Sequence, residues 1–155
     1  MQLRPFPVDL AATVAAWATS PKEAAMWCGH TDGPVPAEKV AGWAVGDDVQ
    51  TFGLYDGDDL VAYGELWSDK EEAESELARL IVDPRRRGQG VGQRLVAELT
   101  ARSTYPSVLL RVHPDNHAAL RCYAAARFTR VSPEQEAEWN APQPVPYIWL
   151  VRTLS

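Results

Sequence analysis

The sequence predicts an α/β domain, or an α+β domain, built around a mixed sheet. Two patterns carry that expectation. Apolar runs of strand length recur at residues 49–55, 60–67, 77–82, 107–112 and 147–153. Between them lie stretches of helical periodicity, clearest after Gly90, where Val91, Leu95, Val96 and Leu99 fall on one stripe. No repeat, low-complexity tract or linker divides the 155 residues, so a single domain over 1–155 is expected. That length buries about 68–70% of the unfolded surface.

Each element has a local reason. Residues 2–6 read as a short strand stopped by Pro7. Asp9 can cap a helix reaching about Thr19, with Leu10, Val14 and Trp17 as its apolar stripe. Ser20-Pro21 opens a second helix to about Trp27, with Pro at its first position. Residues 28–36 are rich in Gly, Pro, Asp and His and read as a loop, before a short helix over 37–43. Asp56-Gly57 is the turn signal of a hairpin, and the acidic stretch 69–74 joins that hairpin to a central strand. Asp83-Pro84 ends this strand, since Pro donates nothing to a ladder. After the strand at 107–112, Asp115 or Asn116 caps a helix over about 117–126, and 128–131 is a short strand. Residues 132–146 read as a polar, Pro-rich loop before the last strand.

Composition narrows the function classes. The net charge of −6 is unevenly spread: residues 1–77 hold four Lys/Arg against fifteen Asp/Glu, while 78–131 hold ten Arg against three acids. The basic third suits a phosphate-bearing ligand, and the acidic part suits a cationic amine. A net acidic chain without a basic, aromatic-studded stripe argues against a nucleic-acid partner. No apolar run approaches the roughly 20 residues that span a bilayer. The N-terminus lacks the apolar run of a signal peptide, and two cysteines, Cys28 and Cys122, are too few for a disulfide framework. A cytoplasmic setting is expected. His30, His113 and His117 do not have metal-ligand spacing, because Pro114 keeps His113 off the helix that carries His117. Trp27, Trp43, Trp67 and Trp139 are read as lying in or beside loops, mostly as core, with one or two free to wall an acceptor pocket.

The informative stretch runs from the central strand through Pro84 into the loop 85–92 and the helix beyond. A helix start leaves four N–H groups unpartnered and carries roughly +0.5 charge. Glycines there let an anion approach the backbone, and Arg85, Arg86 and Arg87 add positive charge. The expected ligand is a phosphate or pyrophosphate. The loop is not a P-loop, since no Gly-Lys-Ser/Thr follows, and it lacks the third glycine of a dinucleotide fingerprint.

Arg87-x-x-Gly90-x-Gly92, placed after Leu80-Ile81-Val82-Asp83-Pro84, resembles the motif of the GNAT acetyltransferase superfamily. A second block, Asn116-His-Ala-Ala-Leu-Arg-Cys-Tyr123, is similar to that family's Asn-x-x-Ala-x-x-(Leu/Phe)-Tyr segment. The resemblance covers residues 74–131. It implies a mostly antiparallel mixed sheet of about six to seven strands with helices on both faces. It also implies acetyl-CoA as cosubstrate, no metal, and an amine acceptor. By the same resemblance, Arg87, Gly88, Gln89, Gly90, Val91 and Gly92 hold the pyrophosphate. Leu80, Ile81 and Val82 hold the acetyl group and pantetheine, Asn116 contacts the pantetheine arm, and Tyr123 lines the site as the acid that protonates the departing thiolate. One departure stands out: the family continues Tyr-x-x-x-Gly-Phe, and here Arg127 holds the glycine position, which favours a left-handed helix end.

Acetylating an amine requires loss of its proton. Glu76 is the leading base, with Glu74, Glu65 or water as alternatives. Period-2 alternation puts Glu74 and Glu76 on one face with Ala78, Leu80 and Val82, and sets Glu76 roughly 13 Å from Leu80, so a bridging water is needed. The expected function is transfer of acetyl from acetyl-CoA to a primary amine, on a small molecule or a protein, by direct attack. A non-catalytic acyl-CoA-binding or regulatory module on the same fold is the alternative, and a phosphate-binding protein of another fold is a third. The acceptor and the oligomeric state are not encoded in any motif; a homodimer is compatible with the sequence.

Overall fold

The computed structural model describes residues 1–155. Seven strands form one sheet: β1 (Gln2–Pro5), β2 (Val49–Asp56), β3 (Asp59–Asp69), β4 (Glu74–Val82), β5 (Ser107–Val112), β6 (Thr129–Arg130) and β7 (Ile148–Thr153), in the order β1-β2-β3-β4-β5-β7-β6. Every neighbouring pair is antiparallel except β4 and β5. That parallel pair needs a crossover, and α4 (Val91–Ala101) provides it.

Helices cover both faces, as expected. On one face α4 and α5 (His117–Ala125) pack Val91, Leu95, Leu99 and Tyr123 onto Leu54, Leu66, Leu77 and Leu110. On the other, α1 (Ala11–Ala15), α2 (Pro21–Cys28) and α3 (Ala37–Ala41) pack Val14, Ala24 and Val40 around Tyr63 and Ile81. The caps follow the sequence signals. Ser20 accepts from the Glu23 N–H at 3.1 Å with Pro21 in the first turn, and Asn116 accepts from the Ala119 N–H at 3.2 Å.

Three expectations are corrected. The first helix is split: a 3-10 turn over Val8–Leu10 precedes α1, which ends at Ala15 instead of near Thr19. The stretch read as a loop contains α6 (Pro133–Asn140), capped by Ser132, whose hydroxyl accepts from the Gln135 N–H. Its apolar stripe is weak because it is held by polar contacts. Glu136 binds Arg130 and the Trp149 N–H, and Asn140 accepts from the Trp149 indole. Trp27 and Trp139 are the penultimate residues of α2 and α6, Trp43 follows α3, and Trp67 lies within β3.

The third correction concerns β4. Ala78 pairs with Glu65 and Ile81 pairs with Tyr63, so Arg79 and Leu80 together oppose the single residue Gly64. This is a β-bulge, and Arg79 sits in it with φ +52°. The extra residue flips the alternation. Glu76 and Ala78 share their face with Ile81, while Leu80 and Val82 turn to the α4 side. Gly64 makes room for the flipped Leu80: a Cβ there would lie 3.4 Å from Leu80 Cγ and 2.8 Å from Leu99 Cδ1.

Candidate active site

The parallel pairing of β4 and β5 stops at Leu77 and Leu110. Beyond these residues β4 stays paired only with β3 and β5 only with β7, and the gap between them opens into a cavity of about 610 Å³. Leu80, Ile81 and Val82 form one lip, Arg111, Val112 and Asn116 the other, and the loop before α4 closes one end. The Asp83 N–H bonds the Val61 carbonyl of β3 at 2.9 Å. By strand alternation the Val82 N–H then faces the gap.

At the loop, Gly88 and Gly90 take φ +76° and +81°, and a Cβ on either would meet only open space. Gly90 caps α4 in the left-handed conformation without any side-chain acceptor. The backbone N–H groups of residues 88–93 donate to no protein group, and the first bond of this helix start is Arg94 N–H to the Gly90 carbonyl. Gly92 has a different reason: a Cβ there would lie 3.4 Å from Cys122 Sγ, so it sets how closely α4 meets α5. The result is an amide-lined nest on the positive end of a helix, suited to a phosphate.

Each arginine of this loop is paired with a carboxylate, and Arg86 and Arg87 line the cavity. Arg85 pairs with Asp83 at 3.0 Å, Arg86 with Asp56 at 3.1 Å and Arg87 with Glu23 at 2.8 Å. Arg87 also donates to the Val82 and Trp17 carbonyls. Its guanidinium ties α2, β4 and the loop together.

Tyr123 lines the cavity, 8% exposed. Its hydroxyl has no protein partner and is not sealed off. Burial pushes the phenol above its ordinary pKa, so it carries its proton. Its depth is set by the helix end. Arg127 accepts the left-handed conformation at φ +72°, the Arg127 N–H bonds Ala124 O, and the Phe128 N–H bonds Tyr123 O. This is a Schellman cap, which packs Phe128 against Tyr123 at 6.5 Å between ring centroids. The usual glycine is absent, yet the backbone path is kept.

None of the candidate bases lines the cavity. Glu76 makes a bidentate pair with Arg111, at 2.7 and 3.0 Å. Glu65 is fully buried and accepts from Tyr63, Trp67 and Arg79. Burial raises its pKa while those donors oppose the shift. Glu74 stands at the far end of β4, beside Glu72 and Asp69. The acidic N-terminal half therefore does not deliver a free carboxylate to the cavity. The only acid lining it, Glu23, is engaged by Arg87.

The sequence reading missed the other face of the site. Arg79 lies 4.4 Å from the Trp43 ring and 5.1 Å from the Trp67 ring. Arg111 lies 5.8 Å from Trp67 and 4.7 Å from Trp149, whose ring meets Trp139 at 5.1 Å. Alternating arginines and tryptophans thus cross the sheet from α3 to α6. The available signal was an arginine inside each of two central strands, since buried charge needs a partner. No three His, Cys, Asp or Glu side chains gather as a metal site, and no helix is long and apolar enough to cross a membrane.

The comparisons agree with this geometry. The sequence model described as the acetyltransferase (GNAT) family matches residues 12–128. An acetyltransferase from Thermus thermophilus is 20% identical, with a TM-score of 0.75 over 99% of this chain and 96% of that one. A spermidine N-acetyltransferase from Vibrio cholerae, solved with CoA and spermine, is 15% identical, with a TM-score of 0.69 over 84% and 82%. An uncharacterized protein of Mycobacterium leprae is 38% identical over 58 residues, which is 37% of this chain but only 16% of that protein. With more than half of its length matched by the family model, the chain belongs to the acetyltransferase (GNAT) family.

Proposed function

We propose that the protein is an N-acetyltransferase that moves the acetyl group of acetyl-CoA to a primary amine by direct attack. The observation that carries this reading is the open seam between β4 and β5, which ends at the unpartnered amides of residues 88–93. Acetyl-CoA supplies an activated thioester and a diphosphate. The amides from Gly88 to Gln93 bind the diphosphate, and the exposed edge of Leu80 to Val82 takes the pantetheine and the acetyl carbonyl. The Val82 N–H is aimed to stabilise negative charge on that carbonyl oxygen.

Asn116 holds the start of α5 through its Oδ1, which leaves its amide N–H groups for the pantetheine arm. Tyr123 donates its proton to the departing thiolate. Proton loss from the amine goes to water, because Glu65 and Glu76 are both held by arginine. An acyl-enzyme route lacks a nucleophile: burial raises the pKa of both Cys28 and Cys122.

The test is calorimetry with acetyl-CoA, followed by acceptor-dependent thiol release over a panel of amines. Tyr123→Phe is expected to lower kcat roughly hundredfold with little change in acetyl-CoA affinity. Tight acetyl-CoA binding with no thiol release by any amine would replace this reading with that of a non-catalytic acyl-CoA-binding module.

A further inference from the structure

Resting on the acetyltransferase reading, we infer that the acceptor is an amine that also bears a carboxylate, as a free amino acid does, and that Arg79 binds that carboxylate. The lining of the cavity carries the argument first. Its charged groups are Arg79, Arg86, Arg87, Arg111, Arg121 and one acid, Glu23, which Arg87 already occupies. A polyamine or aminoglycoside would meet cations and no free carboxylate. Arg86 and Arg87 belong to the loop that takes the proposed diphosphate, and a zwitterionic amine brings an anion for Arg79 at the other end.

Arg79 has the capacity and the placement. The only hydrogen bond its side chain makes is from Nη1 to Glu65 at 3.0 Å, so Nε, Nη2 and the second Nη1 proton remain free. The side chain is 28% exposed and lines the cavity. The guanidinium carbon lies beside the Trp43 and Trp67 rings, and a guanidinium offers a planar fork suited to bidentate carboxylate binding. Arg111 is less available, because Glu76 and Gln143 take three of its donors.

The backbone is built for this placement. Arg79 occupies the bulge at φ +52°, an uncommon conformation for a residue with a side chain. The bulge leaves its carbonyl outside the ladder, and Trp27 Nε1 donates to it at 2.8 Å. Arg79 directly precedes Leu80, where the acetyl-binding edge begins.

The experiment measures thiol release at saturating acetyl-CoA. The panel contains the common amino acids, each beside its carboxamide, together with spermidine and kanamycin. At least one free acid should be acetylated with kcat/KM about tenfold or more above its amide. Arg79→Gln should raise KM for that acid about tenfold or more and erase the preference for acid over amide, while calorimetric acetyl-CoA affinity stays in place. Arg79→Lys should restore part of the preference. With CoA bound, the acid should quench tryptophan fluorescence in the wild type and not in Arg79→Gln. Better turnover of spermidine, kanamycin or the amides than of every free acid, or an acid preference that survives Arg79→Gln, would overturn the inference and leave the acetyltransferase reading standing; acetyl-CoA binding with no turnover of any amine would overturn both. Failure to bind acetyl-CoA would overturn both.

Discussion

The two ends of the cleft handle charge in opposite ways. At the glycine loop the arginines are tied to Asp83, Asp56 and Glu23, and the donors left for a ligand are backbone amides. At the other end the Arg79 carbonyl is capped by Trp27, and the unengaged donors belong to the Arg79 side chain, which lies beside two indoles. A diphosphate is large and multiply charged, so a curved row of N–H groups suits it. A single carboxylate is planar, so a fixed guanidinium suits it.

The largest test of this contrast is Glu65→Ala. It leaves the Tyr63 hydroxyl, the Trp67 indole and the Arg79 guanidinium without their buried acceptor. A loss of about 3–5 kcal/mol is expected in urea unfolding. A loss below about 1 kcal/mol would mean that the stack holds itself without its carboxylate.

The loop end should respond to backbone changes and barely to charge. Gly90→Val forces a β-branched residue to φ +81° and sets methyl groups in the anion's path. Acetyl-CoA affinity is expected to fall by about 2–3 kcal/mol, roughly a hundredfold, as read by calorimetry. Arg85→Gln should change the same affinity less than about threefold, because that side chain is exposed and already paired. Equal effects of the two substitutions would dissolve the distinction between amide and side-chain binding.

A smaller effect separates shape from chemistry. Arg127→Gly relieves a left-handed arginine and should stabilise the fold by about 1 kcal/mol in urea melts. The Schellman cap stays, so the position of Tyr123 and kcat should not change.

The last test is in pH. Hydrogen bonds from Arg85 hold the Asp83 carboxyl below its ordinary pKa, and Arg130 does the same to Glu136. A carboxyl lowered on folding adds stability above its unfolded pKa, near 3.9 for Asp, and loses it as pH falls through the folded value. Urea midpoints should therefore drop below about pH 4. Asp83→Asn should flatten part of that limb.

What the sequence disclosed follows the same division. The nest was legible because strand, Pro84, glycines and helix are consecutive, and each acts through local backbone rules. Ser20-Pro21, Asn116 and the Asp56-Gly57 turn were legible for that reason. The bulge was not: a period-2 reading has no means to count an extra residue, and only the pairing against Gly64 exposes it. From that one slip came the misplaced faces of Glu76 and Leu80. The Trp–Arg row was illegible because Trp43, Trp67, Arg79, Arg111 and Trp149 come from different elements and meet only after the sheet forms. Helix α6 was missed because its grip on β7 is polar, through Glu136 and Asn140, and leaves no apolar stripe to read.

The early end of the β4–β5 pairing has a mechanical consequence. Only the rungs from Glu74–Ser107 to Leu77–Leu110 join the sheet's halves. A pantetheine arm lying along both lips would act as a surrogate strand and zip the seam further. Occupancy should then slow amide hydrogen exchange along both lips, Val82 included, and tie the two halves into one melting unit.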